Sequence, residues 1–285
     1  DHCVTGVQTC ALPISALTTR IALARSLTAR VGGPRGKRSS LTARSLSASS
    51  AAIGAAAGDP YADKPGEGFT TTMLHHGHKL DTDNRARAPP IFQSTSFEFK
   101  SNEHGAKLFG PIYTRLMNPT THVFEYKVAK LEGAPCPAHG DCDNAATLPS
   151  ALAVASGQSA QMHALMTIMQ AGDNFVTASE LYGGTYTQFA YSFKQIGIEA
   201  KFADVSNPDS IRAAIDDDTK AIYIETLANP SGTVPDFEAI KKIATEAQVP
   251  LICDNTFGMG GYTCRPLRLG ADIVVESATK WIGGH

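Results

Sequence analysis

The sequence predicts an α/β fold, a mostly parallel sheet with helices on both faces. Short apolar runs recur beyond residue 150, each too short for a helix and lacking the polar alternation of a half-exposed strand. Segments of helical period separate them, and strand–helix alternation is the pattern of parallel crossover units. The chain has 285 residues, 42% of them hydrophobic, enough for one large domain with a core.

Taken in order, residues 1–15 match one reading frame of a common short-read sequencing adapter and are expected to play no part in the fold. Residues 16–68 are rich in Ser, Ala and Arg. From His2 to Gly58 there is no acidic residue, against Arg20, Arg25, Arg30, Arg35, Lys37, Arg38 and Arg44. That composition fits an organelle transit peptide or a disordered arm, so the expected location is cytoplasmic or organellar, mitochondrion or plastid. The net charge of −2 then hides an acidic body, which argues against nucleic acid as the main partner. No apolar run reaches the length of a membrane span.

Residues 69–133 read as an N-terminal arm and a first helix. Residues 69–90 are polar and Pro-rich, hence extended; residues 91–99 alternate loosely, as a short strand would; residues 110–115 are rich in turn formers. Asn118-Pro119-Thr120-Thr121 opens a helix with a Thr near its N-cap, Phe124, Val128 and Leu131 on one face, and Gly133 past its end. Residues 134–149 are a Pro/Gly/Asp-rich loop insertion. Its Cys136, His139 and Cys142 could hold a metal, but no second ligand pair follows at a usual spacing, so no metal site is assigned.

Residues 150–285 carry the alternation. Strands are expected at 151–155, 174–178, 200–203, 220–225, 250–253 and 272–275. Helices are expected after Ser156, then at 185–196, 210–215 and 236–247. In the first, Met162, Leu165, Met166 and Met169 share a core face; in the last, Phe237, Ile240, Ile243 and Ala244 point inward.

Several strand ends carry chemistry, and strand ends are where open α/β sheets place ligands. Ser277, Thr279 and Lys280 leave the last strand within four residues. Ser156-Gly157-Gln158-Ser159 opens a helix with bare backbone donors that can cradle an anion. Asp254 and Thr256 follow the strand at 250–253; the alternative for Asp254 is a turn cap. Tyr182, before Gly183-Gly184, can stack on a flat ring. Asn229 precedes Pro230 and can bond a ring hydroxyl or a carboxylate, or simply start a turn. A Schiff-base lysine, an anion nest, a partner for a ring nitrogen and a ring stacker together match the needs of pyridoxal phosphate.

Five motifs bring a family into view: Tyr113-Thr114-Arg115-Leu116-Met117-Asn118-Pro119-Thr120, Ala155-Ser156-Gly157-Gln158, Leu181-Tyr182-Gly183-Gly184-Thr185, Asp254-Asn255-Thr256-Phe257-Gly258 and Ser277-Ala278-Thr279-Lys280-Trp281-Ile282-Gly283-Gly284-His285. With them the chain, from about Phe69 onward, resembles the pyridoxal-phosphate enzymes of Cys/Met metabolism, of aminotransferase-like fold type I. Within that family it is most similar to the O-acetylhomoserine sulfhydrylases, on Leu116-Met117, Gly260-Gly261-Tyr262 and Trp281.

The resemblance implies that Lys280 holds the cofactor and shuttles protons, Asp254 pairs with the pyridine nitrogen and Tyr182 stacks on the ring. Gly157, Gln158, Ser277 and Thr279 would hold the phosphate, with Thr256 and Asn229 close to the ring. Tyr113 and Arg115 would reach the phosphate of a neighbouring subunit's cofactor, so the resemblance implies a homodimer or homotetramer with shared sites. The implied reaction converts O-acetylhomoserine, an O-acyl-homoserine, and sulfide to homocysteine and acetate. Cystathionine γ-synthase and the cystathionine and methionine γ-lyases are the alternatives within the class, and a non-catalytic scaffold is the alternative outside it. Glu276 departs from the pattern, since sulfhydrylases commonly carry His there. The resemblance also implies a last sheet strand and a small C-terminal domain bearing the Arg that grips the substrate α-carboxylate. Neither lies within these 285 residues, so the chain as given is expected not to complete a substrate site.

Overall fold

A computed structural model describes residues 68–78, 84–107, 112–134 and 150–284. The arm before residue 68, most of the insertion at 134–149 with its Cys136, His139 and Cys142, and His285 lie outside the described residues.

The described residues begin with α1 (Phe69–His75), α2 (Asn102–Lys107) and α3 (Pro119–Glu132). Then come α4 (Gly157–Ile168), β1 (Asn174–Ala178), α5 (Gly183–Thr187, continued as a π-helix over Gln188–Phe193), β2 (Glu199–Ala203), α6 (Pro208–Ala214), β3 (Thr219–Glu225), α7 (Phe237–Ala247), β4 (Leu251–Asp254) and β5 (Ile273–Val275). The strands form one parallel sheet in the order β2-β1-β3-β4-β5. Every residue of β1 is buried and all but one of β3, as in strands covered on both faces. Phe175, Phe189, Phe193 and Tyr223 meet edge to face at the centre, with Phe175–Phe189 and Phe189–Tyr223 centroids both 4.9 Å apart.

The helix ends follow local chemistry. Asn118 caps α3 by accepting the Thr120 N–H, Pro119 takes the first turn, and Gly133 closes the helix at φ 77°. Ser156 caps α4 by accepting the Ser159 N–H, and Asp236 caps α7 by accepting that of Ala239.

Several expectations are corrected. The sheet has five strands among the described residues, not six, because residues 151–155 run without ladder bonds. They and β5 line the same cavity of about 230 Å³, and the Ala153 N–H goes instead to Glu125 Oε1 on α3 at 2.8 Å. The arm at 69–90 begins as a helix, because α1 packs on α3 and Phe69 meets the Tyr262 ring edge-on at 5.1 Å. Residues 91–99 form no strand beyond one antiparallel bridge, Ser96 to Tyr113.

Two helix faces also turn away from the apolar count. On α4, Leu165 and Met169 are buried as expected, but Met162 and Met166 are exposed and Gln161 and Ala164 take the inward side. Gln161 is drawn inward because its amide meets Tyr223, Thr185 and Gln188. On α3, Leu131 is buried as expected, whereas Phe124 and Val128 only line the cavity, and His122, Glu125, Tyr126, Ala129 and Glu132 are buried with Leu131. Buried polar groups with bonded partners can hold an inward face.

Candidate active site

The sheet order puts a topological switch between β1 and β3, since the chain leaves β1 for β2 and then crosses back to β3. Ligand crevices form outside the carboxyl ends of strands at such a point. The exits of β1, β3, β4 and β5 carry Tyr182, Asn229, Asp254 and Lys280 respectively.

Asp254 ends β4 in register with Val275 of β5. Its Oδ1 accepts the Thr256 N–H at 2.9 Å and the Thr256 hydroxyl at 2.6 Å. The same hydroxyl accepts the Ser277 N–H at 3.0 Å, and Ser277 Oγ accepts a hydrogen bond from Lys280 Nζ at 3.1 Å. A short chain of bonds therefore runs from the carboxylate to the amine. Asp254 keeps part of its surface in solvent, yet burial around its carboxyl dominates and pushes its pKa up. Thr256, Tyr223 and the Lys280 charge pull the other way. The Tyr223 hydroxyl has one hydrogen and donates it to Gln161 Oε1 at 2.9 Å, leaving Asp254 as a second claimant.

Gly157 lies under this loop. A Cβ there would meet Ser277 Cβ at 2.9 Å and Ser277 Cα at 3.1 Å, so only glycine lets the α4 N-terminus and the β5 exit approach this closely. Gln158 turns from that edge to donate to Thr185 Oγ1 at 3.3 Å. Thr279 lines the cavity, and both it and Lys280 are exposed. The Tyr182 ring is half exposed and lies over Gly184, where an added Cβ would meet Cε1 at 2.6 Å.

The structure thus brings together Lys280, Asp254, Thr256, Ser277 and Gly157 through direct contacts. Tyr182 and Asn229 form a second group joined through Glu225: its Oε1 accepts the Tyr182 N–H at 2.8 Å and its Oε2 the Asn229 N–H at 3.3 Å. Glu225 is in register with Asp254 on the adjacent strand, which links the two groups. Tyr113 and Arg115 are not joined to either by a contact among the described residues. Both are exposed, with the Arg115 guanidinium 5.3 Å above the Tyr113 ring.

The sequence pattern points to no role for Glu225, Tyr223 or Asn255. Asn255 is fully buried and ties Thr226, Glu132 and the Cys264 carbonyl together. A polar residue enclosed at a strand end is the missing signal, and only tertiary packing reveals it.

The donor set fits pyridoxal phosphate. A carboxylate pushed up by burial favours a cationic partner such as a protonated ring nitrogen. The bare Gly157 backbone beside Ser277 suits a phosphate, and the Lys280 amine stands within reach of the same strand tips.

A family model for Cys/Met metabolism PLP-dependent enzymes matches residues 70–285. The homocysteine/cysteine synthase of Saccharomyces cerevisiae is 47% identical over 224 residues, 76% of this chain and 47% of the relative. O-acetyl-L-homoserine sulfhydrylase 1 of Thermus thermophilus is 45% identical over 223 residues, 76% of this chain and 50% of the relative. Among solved structures, metB from Corynebacterium glutamicum superposes with a TM-score of 0.67 at 36% identity, over 80% of this chain and 54% of that one. A structure from Campylobacter jejuni, which contains N'-pyridoxyl-lysine-5'-monophosphate, also reaches 0.67, at 33% identity over 77% of this chain and 51% of that one. The chain spans about half the length of the curated relatives it matches. With the parallel sheet, the strand-tip lysine and carboxylate, and a match running from residue 70 to residue 285, the chain belongs to the Cys/Met metabolism PLP-dependent enzyme family.

Proposed function

We propose that the protein of which this chain is part uses pyridoxal phosphate to replace the γ-substituent of O-acetylhomoserine with sulfide, giving homocysteine and acetate. The observation that carries this reading is the bonded path from Asp254 through Thr256 and Ser277 to Lys280. It sets an acid-stabilised ring site and a nucleophilic amine on neighbouring strand tips. The reaction is supported by relatives named for homocysteine synthesis and O-acetylhomoserine sulfhydrylation.

When bound, pyridoxal phosphate supplies an electron sink for a carbanion at the substrate α-carbon. Lys280 would anchor it through its amine, and that amine, once free, would take the proton from the substrate α-carbon and move the one at the β-carbon while sulfide takes the γ-position that acetate leaves. Asp254 would hold the ring-nitrogen proton. Thr256 orients Asp254 with two bonds to one carboxylate oxygen, and Tyr182 covers the ring. Gly157, Ser277 and Thr279, with the main chain of Gln158, would hold the phosphate, and Asn229 would serve the ring and the substrate carboxylate. Tyr113 and Arg115, exposed in one copy, reach the site of a second copy, which makes the working unit a homodimer or homotetramer.

Adding pyridoxal phosphate to the full protein should produce a visible absorbance band that borohydride fixes on Lys280. Lys280→Ala should lose both the fixed label and all homocysteine formation, a fall of more than about 10³-fold. A label on a different lysine, or turnover that survives the substitution, would refute the assignment. Products formed with sulfide, cysteine or methionine in turn separate sulfhydrylation from cystathionine synthesis and γ-elimination.

A further inference from the structure

One carboxylate grips two loops that converge on the site. Glu225 ends β3 and is 7% exposed. The Tyr182 N–H, 2.8 Å from Oε1, belongs to the loop leaving β1; the Asn229 N–H, 3.3 Å from Oε2, belongs to the loop leaving β3. Main-chain bonds hold the neighbouring groups, since the Tyr182 carbonyl accepts the Tyr186 N–H at 2.9 Å and the Ala228 N–H reaches the Thr233 carbonyl at 2.9 Å, but the two N–H groups themselves go to Glu225. The Tyr182 side chain makes no capping bond to the five-residue α5. Fixing a main-chain N–H fixes the Cα beside it, and so the direction in which the side chain leaves. Both carboxylate oxygens are taken by main-chain donors, which leaves Glu225 unsuited to carry a proton to a substrate.

We propose that Glu225 is a positioning residue, which sets the Tyr182 ring and the Asn229 amide around the bound cofactor by holding their backbone N–H groups. This rests on the pyridoxal-phosphate reading above. Burial and the adjacent Asp254 of β4 push Glu225 up to about 7, against the two N–H bonds. The other titratable group that faces it is Tyr223 of β3, itself raised by burial and so neutral. Near neutral pH the grip therefore sits at its own midpoint. Loss of the charge weakens both bonds, because an ionised acceptor bonds more strongly than a neutral one.

The test compares the full protein with its Glu225→Gln and Glu225→Ala variants, using pyridoxal phosphate as the probe. Glutamine keeps the shape but offers one acceptor and one NH₂, so one of the two N–H groups loses its partner. The Gln variant should melt at pH 8 no lower than the parent, because a neutral amide replaces a buried carboxylate. Its dissociation constant for pyridoxal phosphate should nevertheless rise about tenfold. The parent's affinity should fall as pH drops through about 7, and the Gln variant's should stay flat there. The Ala variant should bind still more weakly. A parallel fall in melting temperature and affinity in both variants would reduce Glu225 to a structural residue and overturn the proposal. Affinity and pH profile unchanged in the Gln variant would also overturn it. If the parent itself fails to bind pyridoxal phosphate, the cofactor reading falls and this inference with it.

Discussion

Glu276 and Glu132 place two carboxyl groups in one enclosed corner beside the β5 exit. Glu276 Oε1 accepts the Gly260 N–H at 3.2 Å, and its carboxyl bonds the facing carboxyl of Glu132. Both oxygens of Glu132 accept from Asn255 Nδ2, at 2.9 and 3.1 Å. Burial first, then the facing Glu132, pushes Glu276 up to about 10; Glu132 is raised too, against bonds from Glu276 and Asn255 and the charge of Arg265. Two enclosed carboxylates cannot both ionise cheaply, so Glu276 keeps its proton at neutral pH. This gives the departure from histidine at that position a physical content: a neutral acid stands beside the proposed phosphate site where a cation could have stood. The sign of the linkage follows from the raised value. The contribution of protonated Glu276 is fully present below the ordinary carboxyl range and is lost as pH rises through about 10. Glu276→Gln keeps the acceptor for Gly260 and removes the ionisation. It should match the parent at about pH 4 and exceed it by about 1–3 kcal/mol at about pH 10, read from urea unfolding at both values. An equal loss with pH in the two proteins would show that Glu276 is not the source.

At the scale of elements, the β5 exit rests on the first turn of α4, and that contact sets the width of the proposed phosphate nest. Gly157→Ala would drive a methyl into Ser277, whose Cβ lies 2.9 Å from the added atom. The loop from Ser277 to Lys280 would have to lift. The variant should lose about 1–3 kcal/mol of stability and bind pyridoxal phosphate at least tenfold more weakly, as followed by absorbance titration and thermal melting. Tight binding with an Ala at 157 would place the phosphate elsewhere. This contact also shows what was legible beforehand. β1, β3, β4, β5 and α7 could be read because continuous apolar runs, or Ile240, Ile243 and Ala244 at helical spacing, state their own burial. Residues 151–155 could not, because a strand needs a partner and their apolar pattern does not supply one. The stripe of α4 misled because Tyr223, Thr185 and Gln188, distant in sequence, draw Gln161 inward and turn Met162 and Met166 out. In the site, Lys280, Asp254, Ser277 and Gly157 announced themselves as reactive or bare groups at strand ends. Glu225 acts through the β3–β4 register and two main-chain bonds, which no spacing along the chain encodes.

Over the whole molecule, the two ends of the sheet carry carboxyl groups of opposite character. At the carboxyl end, Glu225, Asp254, Glu276 and Glu132 are all pushed up, with burial the leading cause in each. At the amino end, Asp216 is exposed and held well below the usual range by bonds from Asn174, Lys201 and Thr219. Parallel strands produce this division. Their carboxyl ends converge on an enclosed crevice, while the turn before β3 stays at the surface. The linkage signs are opposite. Asp216 contributes stability above its ordinary carboxyl range, and that contribution is lost as pH falls. The crevice acids contribute most when protonated, and that contribution is lost as pH rises, through about 7 for Glu225 and about 10 for Glu276. The crevice groups are the enclosed ones, so their charges are poorly screened and they dominate; the Asp216–Lys201 pair is solvated and worth little. Unfolding free energy of the cofactor-free protein should therefore be greatest near the ordinary carboxyl range and decline from there up to about pH 10, more steeply below about 7, where both groups keep protons that the unfolded chain has released, than above it. Urea unfolding across that range measures it directly. A profile that climbs between neutral and alkaline pH would mean that the crevice acids ionise without cost, which their enclosure in the structure contradicts.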